Sequence, residues 1–346
     1  MNIQQRPTDE RHRTSEVATM KAIAQERYGS APEDVLALTE TARPTVGESD
    51  VLVRVRAASV DRGTWHLMAG LPYPARLAFG LRSPNFLNPG RTLAGTVEAV
   101  GSTVTDFRPG DEVFGVPGGN GSFAQYVVAR PGKLAAKPAN LSFEEAAAVP
   151  ISGATALQAV RDRARVQAGE KVLVIGASGG VGSFAVQIAK AFGAEVTGVA
   201  STAKLDAVRA LGADHVVDYT RQDVTDGSHR YDAIIDIGGN RRLSHLRRAL
   251  SPRGRLVIVG GETGGRWLDG LDRSFRAVLL SPFISQKLGF FVSSEKAADL
   301  VALRELIESG QVRPAIDRVY PLGETVAAIR YLRDGHAVGK LVITVP

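Results

Sequence analysis

Residues 171–192, KVLVIGASGGVGSFAVQIAKAF, carry the densest chemistry-bearing pattern in the chain. A glycine run closes a short aliphatic stretch and opens a periodic one. Ala177, Ser178, Gly179, Gly180, Val181 and Gly182 form a turn with little side chain between the backbone and an incoming ligand. Glycine lets such a turn bend sharply and lets its N–H groups come close to an anion. A helix starting there aims unpaired N–H groups and the positive end of its dipole at the same spot. The chemistry that follows is diphosphate binding, as in dinucleotide sites. The turn reads A-x-G-G-V-G, so Ala177 stands where the usual fingerprint has its first glycine. A purely structural strand-to-helix turn is the plain alternative.

A second group lies about 20 residues on, where such domains choose their nucleotide. A carboxylate at that point bonds ribose hydroxyls and repels a 2′-phosphate. Here residues 199–202 are Val-Ala-Ser-Thr, and the next acid along the chain is Asp206. Ser201 and Thr202 can donate to phosphate, and Lys204 is a nearby cation. This composition favours NADPH over NADH.

These groups need a scaffold, and the hydrophobic pattern supplies one. Residues 171–175 are mostly β-branched or aliphatic, as in a strand buried on both faces. Val181, Ala185, Ile188, Ala189 and Phe192 recur at spacings of three and four, the stripe of an amphipathic helix. Strands are then expected at residues 195–200, 215–219, 231–239 and 255–261, with helices between them. That alternation predicts a doubly wound parallel sheet. The earlier part reads differently. Residues 20–29, 51–60, 91–101, 112–115 and 123–129 read as strands, several of them ending in glycine turns. Near residue 141 the character changes: Ser142 followed three residues later by Glu145 predicts a capping box. A helix near Ser152 includes Thr155. A helix from residue 299 closes at Gly310, and residues 338–346 form a last strand that rejoins the β-rich region.

Composition removes several function classes. The 346 residues contain no cysteine, so disulfides, thiolate metal sites and cysteine nucleophiles are out. A cytoplasmic location is expected. Residues 1–19 lack apolar periodicity and the apolar core of a secretory signal; a disordered extension is expected. No stretch of 18 apolar residues predicts a membrane span. The net charge of +6 comes from arginines spread through helices. Their densest cluster, Arg241, Arg242, Arg247 and Arg248, has no interleaved aromatics to stack bases, so nucleic acid is not an expected partner. The six histidines, His12, His66, His215, His229, His245 and His336, show no metal-ligand spacing, and no metal is expected.

The chain closely resembles the zinc-independent medium-chain dehydrogenase/reductase superfamily, nearest its quinone oxidoreductase and reticulon-4-interacting-protein-like branch. The resemblance runs from residue 20 to 346. It is carried by AASV at 57–60, GTVEAVGSTVTDFRPGDEVFG at 95–115, GASGGVG at 176–182, GADHVVDY at 212–219 and HAVGKLVI at 336–343. It implies a GroES-like catalytic domain from residues 20–145 and 286–346, with a Rossmann NADP-binding domain at 146–285 inserted in it. The nicotinamide would lie in the cleft between them. Zinc-dependent members have a Gly-His-Glu motif in the strand that reads Leu93-Ala94-Gly95 here, which agrees with the missing ligands.

Several residues gain roles from this resemblance. Thr155, Gly238, Gly260, Gly261 and Lys340 join the cofactor list, and Tyr219 would stand near the 2′-phosphate. The branch usually has Asn-Pro after Ala-Ser-Val; this chain has Asp61 and Arg62. Asp61 would face the cleft, or else only cap the next segment. Trp65 would floor the substrate pocket or belong to the core, as would Tyr73. His66 would give a proton or be structural. The implied activity is hydride transfer from NADPH to a quinone or to the β-carbon of an α,β-unsaturated carbonyl. Reduction of simple aldehydes and ketones is one alternative; a non-catalytic NADPH-binding protein docking on RNA or protein is another. A homodimer is expected by the same analogy, joined through the last Rossmann strand near residues 256–259.

Overall fold

The structure is a computed structural model that describes residues 18–119, 121–238, 241–260, 265, 267 and 270–346. The β-rich region begins with an antiparallel pair, β1 (Thr19–Gln25) and β2 (Leu36–Ala42). Five more strands follow: β3 (Val51–Val60), β4 (Leu93–Val100), β5 (Glu112–Gly115), β6 (Tyr126–Ala129) and β7 (Leu134–Ala136). The parallel strands come next: β8 (Lys171–Ile175), β9 (Glu195–Ala200), β10 (His215–Asp218), β11 (Tyr231–Asp236), β12 (Leu250–Ile258) and β13 (Lys287–Phe290). Two strands, β14 (Ile316–Pro321) and β15 (Lys340–Thr344), end the chain.

The six parallel strands run in the order β10-β9-β8-β11-β12-β13. This is the two-halved order of a dinucleotide-binding sheet, with its switch point between β8 and β11. The aliphatic run of β8 is explained by its place: Val172, Leu173 and Val174 are fully buried between two layers of helices. The second large sheet has the order β14-β15-β3-β4-β5-β7, with β6 also paired to β3. Thus β15 lies antiparallel against β3, and the end of the chain completes the catalytic domain begun at its start. On β3 the alternation is only partial. Arg54 and Arg56 point to water, while residues 57–60 are buried on both faces beneath the helix Phe143–Ala147. That helix starts at the expected capping box: Ser142 Oγ accepts from Glu145 N, and Ser142 N donates to the Glu145 carboxylate.

Two expectations change. The boundary expected at 285/286 falls one strand too early, because β13 pairs in parallel with β12 and belongs to the Rossmann sheet. A four-residue strand holding a glycine gives too little period to be read from sequence. For the same reason residues 256–259 are not an edge. Residues 256–258 lie on β12, enclosed by β11 and β13.

Candidate active site

The nucleotide turn is built by backbone geometry. Gly176 sits at φ +84°, in the left-handed region that side chains disfavour. Its N–H and that of Ala177 donate to Val199 O at the end of β9. The helix Gly180–Ala191 then begins with Gly179 at its N-cap and no side-chain cap. Its first N–H groups are left for an external acceptor. Gly238, at the end of β11, lies where a side chain on Gly176 would stand, its nitrogen 2.8 Å from that position. This open cradle with an uncapped twelve-residue helix fits a dinucleotide diphosphate.

The catalytic domain closes directly on this turn. Gly339 N donates to Ser178 O at 2.8 Å, and Gly339 bridges Gly179. Lys340 is fully buried, and its ammonium donates to Val60 O at 3.2 Å. Burial pushes Lys340 below the ordinary lysine range; Asp61 opposes that fall and Arg91 adds to it. Gly180 is tight against it: a Cβ there would meet Lys340 Cδ at 2.9 Å and Ser152 Oγ at 3.2 Å. Thr155 Oγ1 bonds Ile151 O within its own helix, Pro150–Leu157, and Ser293 Oγ across the domains at 2.9 Å.

Asp61 caps the next segment, one of the two roles the sequence allowed. It caps the helix Arg62–Ala69, its Oδ1 accepting from Thr64 N at 3.1 Å while Thr64 Oγ1 accepts from Asp61 N. Its Oδ2 is buried and has no partner among the described residues. Trp65 packs on the catalytic-domain core and makes an edge contact with His66 at 5.2 Å. His66 lines a small cavity with Tyr28, Leu67, Arg76 and Phe79. Tyr73 meets Trp267 edge-on at 5.4 Å, pairing an aromatic from each domain.

Ser201 and Thr202 follow β9 as expected, and Tyr219 is exposed just after β10. The Lys204 ammonium donates to Gly335 O and Ala337 O at 3.0 and 2.9 Å, so two of its three donors are already engaged. Sequence reasoning missed Asp218. It comes from the end of the neighbouring strand, and Thr202 Oγ1 donates to its Oδ2 at 2.5 Å. Bonds from Thr202 and Thr220 hold its carboxyl below the ordinary range. Both its oxygens are taken up by these hydroxyls and by Thr220 N.

A second missed group sits behind the cleft. Asp236, at the end of β11, is fully buried and receives Arg273 Nη1 at 2.6 Å. Arg273 also donates to Arg241 O and Gly260 O, both at 3.1 Å. Gly260 is thereby fixed at the mouth of the sheet; Gly261 lies outside the described residues. Among the described residues no three His, Asp or Glu side chains converge as metal ligands, and no helix is long and apolar enough to cross a membrane.

Comparison with known proteins agrees with this geometry. Residues 47–139 match the alcohol dehydrogenase GroES-like domain family, and residues 211–343 match the zinc-binding dehydrogenase family. The chain is 34% identical over 337 residues to a 2-methylene-furan-3-one reductase of Solanum lycopersicum, covering 94% of this chain and 79% of that one. It is 33% identical over 341 residues to a chloroplastic NADPH-dependent alkenal/one oxidoreductase of Arabidopsis thaliana, with the same coverages. The solved quinone oxidoreductase from Coxiella burnetii superposes with a TM-score of 0.83 at 30% identity, over 95% of this chain and all of that one.

Proposed function

Because the chain belongs to the medium-chain dehydrogenase/reductase superfamily, in its quinone oxidoreductase branch, we propose that it is an NADPH-dependent reductase of quinones and enones. The observation that carries this reading is the uncapped glycine turn with the buried Lys340 packed against its Gly180. NADPH, when bound, supplies the hydride. The protein's share is position and dryness. The turn at 177–182 holds the diphosphate, and Gly238 and Gly260 let the nicotinamide half lie on backbone. Thr155, Lys340 and Asp61 supply polar edges around it.

The cleft also selects the acceptor. Hydride delivered to a simple ketone leaves a strongly basic alkoxide that needs an acid to give it a proton. His66, the acid that sequence suggested, lines a small cavity with Tyr28 and Arg76. A quinone or enone spreads the charge and takes its proton from water. The expected result is NADPH oxidation with quinones and enones, little with unactivated ketones, and less than a tenfold loss of turnover in His66→Ala, below about 1.4 kcal/mol. NADPH binding without turnover on a panel of quinones, enones and enoyl thioesters would sink the enzyme reading. Ketone reduction abolished by His66→Ala would replace it with a proton-relay carbonyl reductase.

Lys204 is the expected selector of the 2′-phosphate, with Ser201, Thr202 and Tyr219 beside it. Lys204→Ala should weaken NADPH binding by about 1–3 kcal/mol and leave NADH binding nearly unchanged. Fluorescence titration of both cofactors tests this; equal losses would show that Lys204 acts only by tying down residues 335–337. Zinc independence belongs to the same reading. Chelators should leave activity intact, and a stoichiometric metal lost together with activity would refute it. So do a cytoplasmic location, tested by fractionation, and a homodimer through the free edge of β13. The exposed Leu279, Phe283 and Val292 near that edge support the dimer. Light scattering that gives a monomer at all concentrations would reject it.

A further inference from the structure

We propose that Arg91 is the residue that receives the substrate's oxygen. The inference rests on the reductase reading above and adds the group that stabilises developing negative charge. Arg91 stands just ahead of β4, and its Nη2 donates to Glu295 Oε1 at 2.5 Å. Glu295 lies on the segment that follows β13, 204 residues along the chain. Lys133 reaches the same residue, donating to Glu295 O at 2.8 Å and to its carboxylate at 3.4 Å. One face of the guanidinium is therefore fixed from behind.

The other terminal nitrogen lies on the Asp61 side. Arg91 Nη1 lies 2.7 Å from where a Gly63 side chain would begin, and Asp61 Oδ1 lies 2.9 Å from the same point. Glycine at residue 63 leaves room for the guanidinium beside the Asp61 cap. Asp61 Oδ2 is buried without a partner among the described residues. The buried Lys340 ammonium feels both Asp61 and Arg91. Arg91 itself is a third exposed. A guanidinium has five N–H donors, and among the described residues only the Glu295 bond uses any of them. A cation with donors left over among the described residues, beside a half-satisfied carboxylate, is a site for a polar, electron-rich atom.

The chemistry fits a carbonyl oxygen. As hydride reaches the β-carbon of an enone, the alkene pair moves to form an enolate, and the charge gathers on oxygen. Water then protonates the α-carbon; the enone is reduced and the nicotinamide oxidised. For a quinone the same hydride leaves a hydroquinone monoanion, which water protonates. Arginine keeps its charge at every working pH, so it can stabilise either anion without giving up a proton. Removing one such donor typically costs about 100-fold in turnover.

The experiment uses the full chain with NADP(H). Arg91→Met should lower kcat on an enone about 100-fold, with NADPH affinity by fluorescence within about twofold. Guanidinium ion added to the buffer should restore part of the loss, as it would not for a purely structural residue. A readout independent of turnover is 4-nitrophenol, whose yellow anion mimics the hydroquinone monoanion. The NADP⁺ complex of the unmodified protein should bind it as the phenolate, and the Arg91→Met complex should lose that preference. If Arg91→Met does not fold, Arg91→Lys keeps a cation and should retain phenolate binding with a smaller loss of kcat. Unchanged enone turnover in Arg91→Met would overturn the proposal, as would unchanged phenolate preference. An unmodified protein inactive on both quinones and enones would instead sink the reductase reading.

Discussion

Arg273→Met should be among the most destabilising single changes in this protein, by about 3–5 kcal/mol at neutral pH. The reason is Asp236. Its side chain is fully buried at the end of β11, and Arg273 provides its one ion pair among the described residues, at 2.6 Å. Burial holds the Asp236 carboxyl above its ordinary value, while Arg273 and then Arg241 pull it down. Without Arg273 the downward pull weakens and the folded-state value climbs further. The unfolded chain titrates near the usual Asp value, about 3.9. A raised folded value means that the folded state holds its proton more tightly than the unfolded chain does. Its contribution to stability is then complete below about pH 4 and is lost as pH rises towards the folded value. The damage in Arg273→Met should therefore be small in mild acid and large at pH 7 to 8. Urea midpoints at pH 5 and pH 7.5 measure it. A second change, Asp236→Asn in the Arg273→Met background, removes the stranded charge and should flatten the pH dependence. An equal loss at both pH values would mean that Arg273 acts only through its bonds to Arg241 O and Gly260 O.

This pair also marks where sequence reasoning stops. The Rossmann half was legible because its signals are local. An aliphatic run, a glycine turn and a helical stripe lie within residues 171–192, and their order carries the geometry. The capping box at Ser142 and Glu145 was legible for the same reason. Asp61 was half legible: its cap is local, but its open Oδ2 depends on residues far away in the chain. Contacts made by tertiary approach left no local trace. Arg91 and Glu295 are 204 residues apart, and Arg273 and Asp236 are 37 apart. Lys204 reads as a free cation from sequence, yet it is tied to carbonyls 131 and 133 residues on. Asp218 escaped because the search for an acid followed β9, whereas the acid arrives from β10 beside it. The strand β13 escaped because four residues hold no measurable period.

Gly182→Ala should abolish tight NADPH binding while the catalytic domain stays folded. A Cβ on Gly182 would stand 2.0 Å from Gly176 O and 2.8 Å from Ala177 Cα. Those are backbone atoms, so no rotamer change relieves the clash. Either the helix Gly180–Ala191 shifts away from β8 or the turn itself opens. Gly176 is already committed at φ +84°, with its N–H bonded to Val199 O, so the turn has little freedom to give. Overpacking of this kind costs about 1–3 kcal/mol in a well-packed site, sometimes more. Here the displaced atoms are the ones proposed to meet the diphosphate, so the same shift should also remove the anion site at the helix N-terminus. The neighbouring Gly179 provides the control. A Cβ there would meet only Gly176 O at 3.5 Å, an ordinary contact. Its φ of −83° suits any residue. Gly179→Ala should keep native stability, and whatever affinity it loses would report on closeness to the ligand alone. Calorimetric titration with NADPH, together with thermal melts of both variants, separates the two effects. Full NADPH affinity in Gly182→Ala would show that the diphosphate does not rest on this turn.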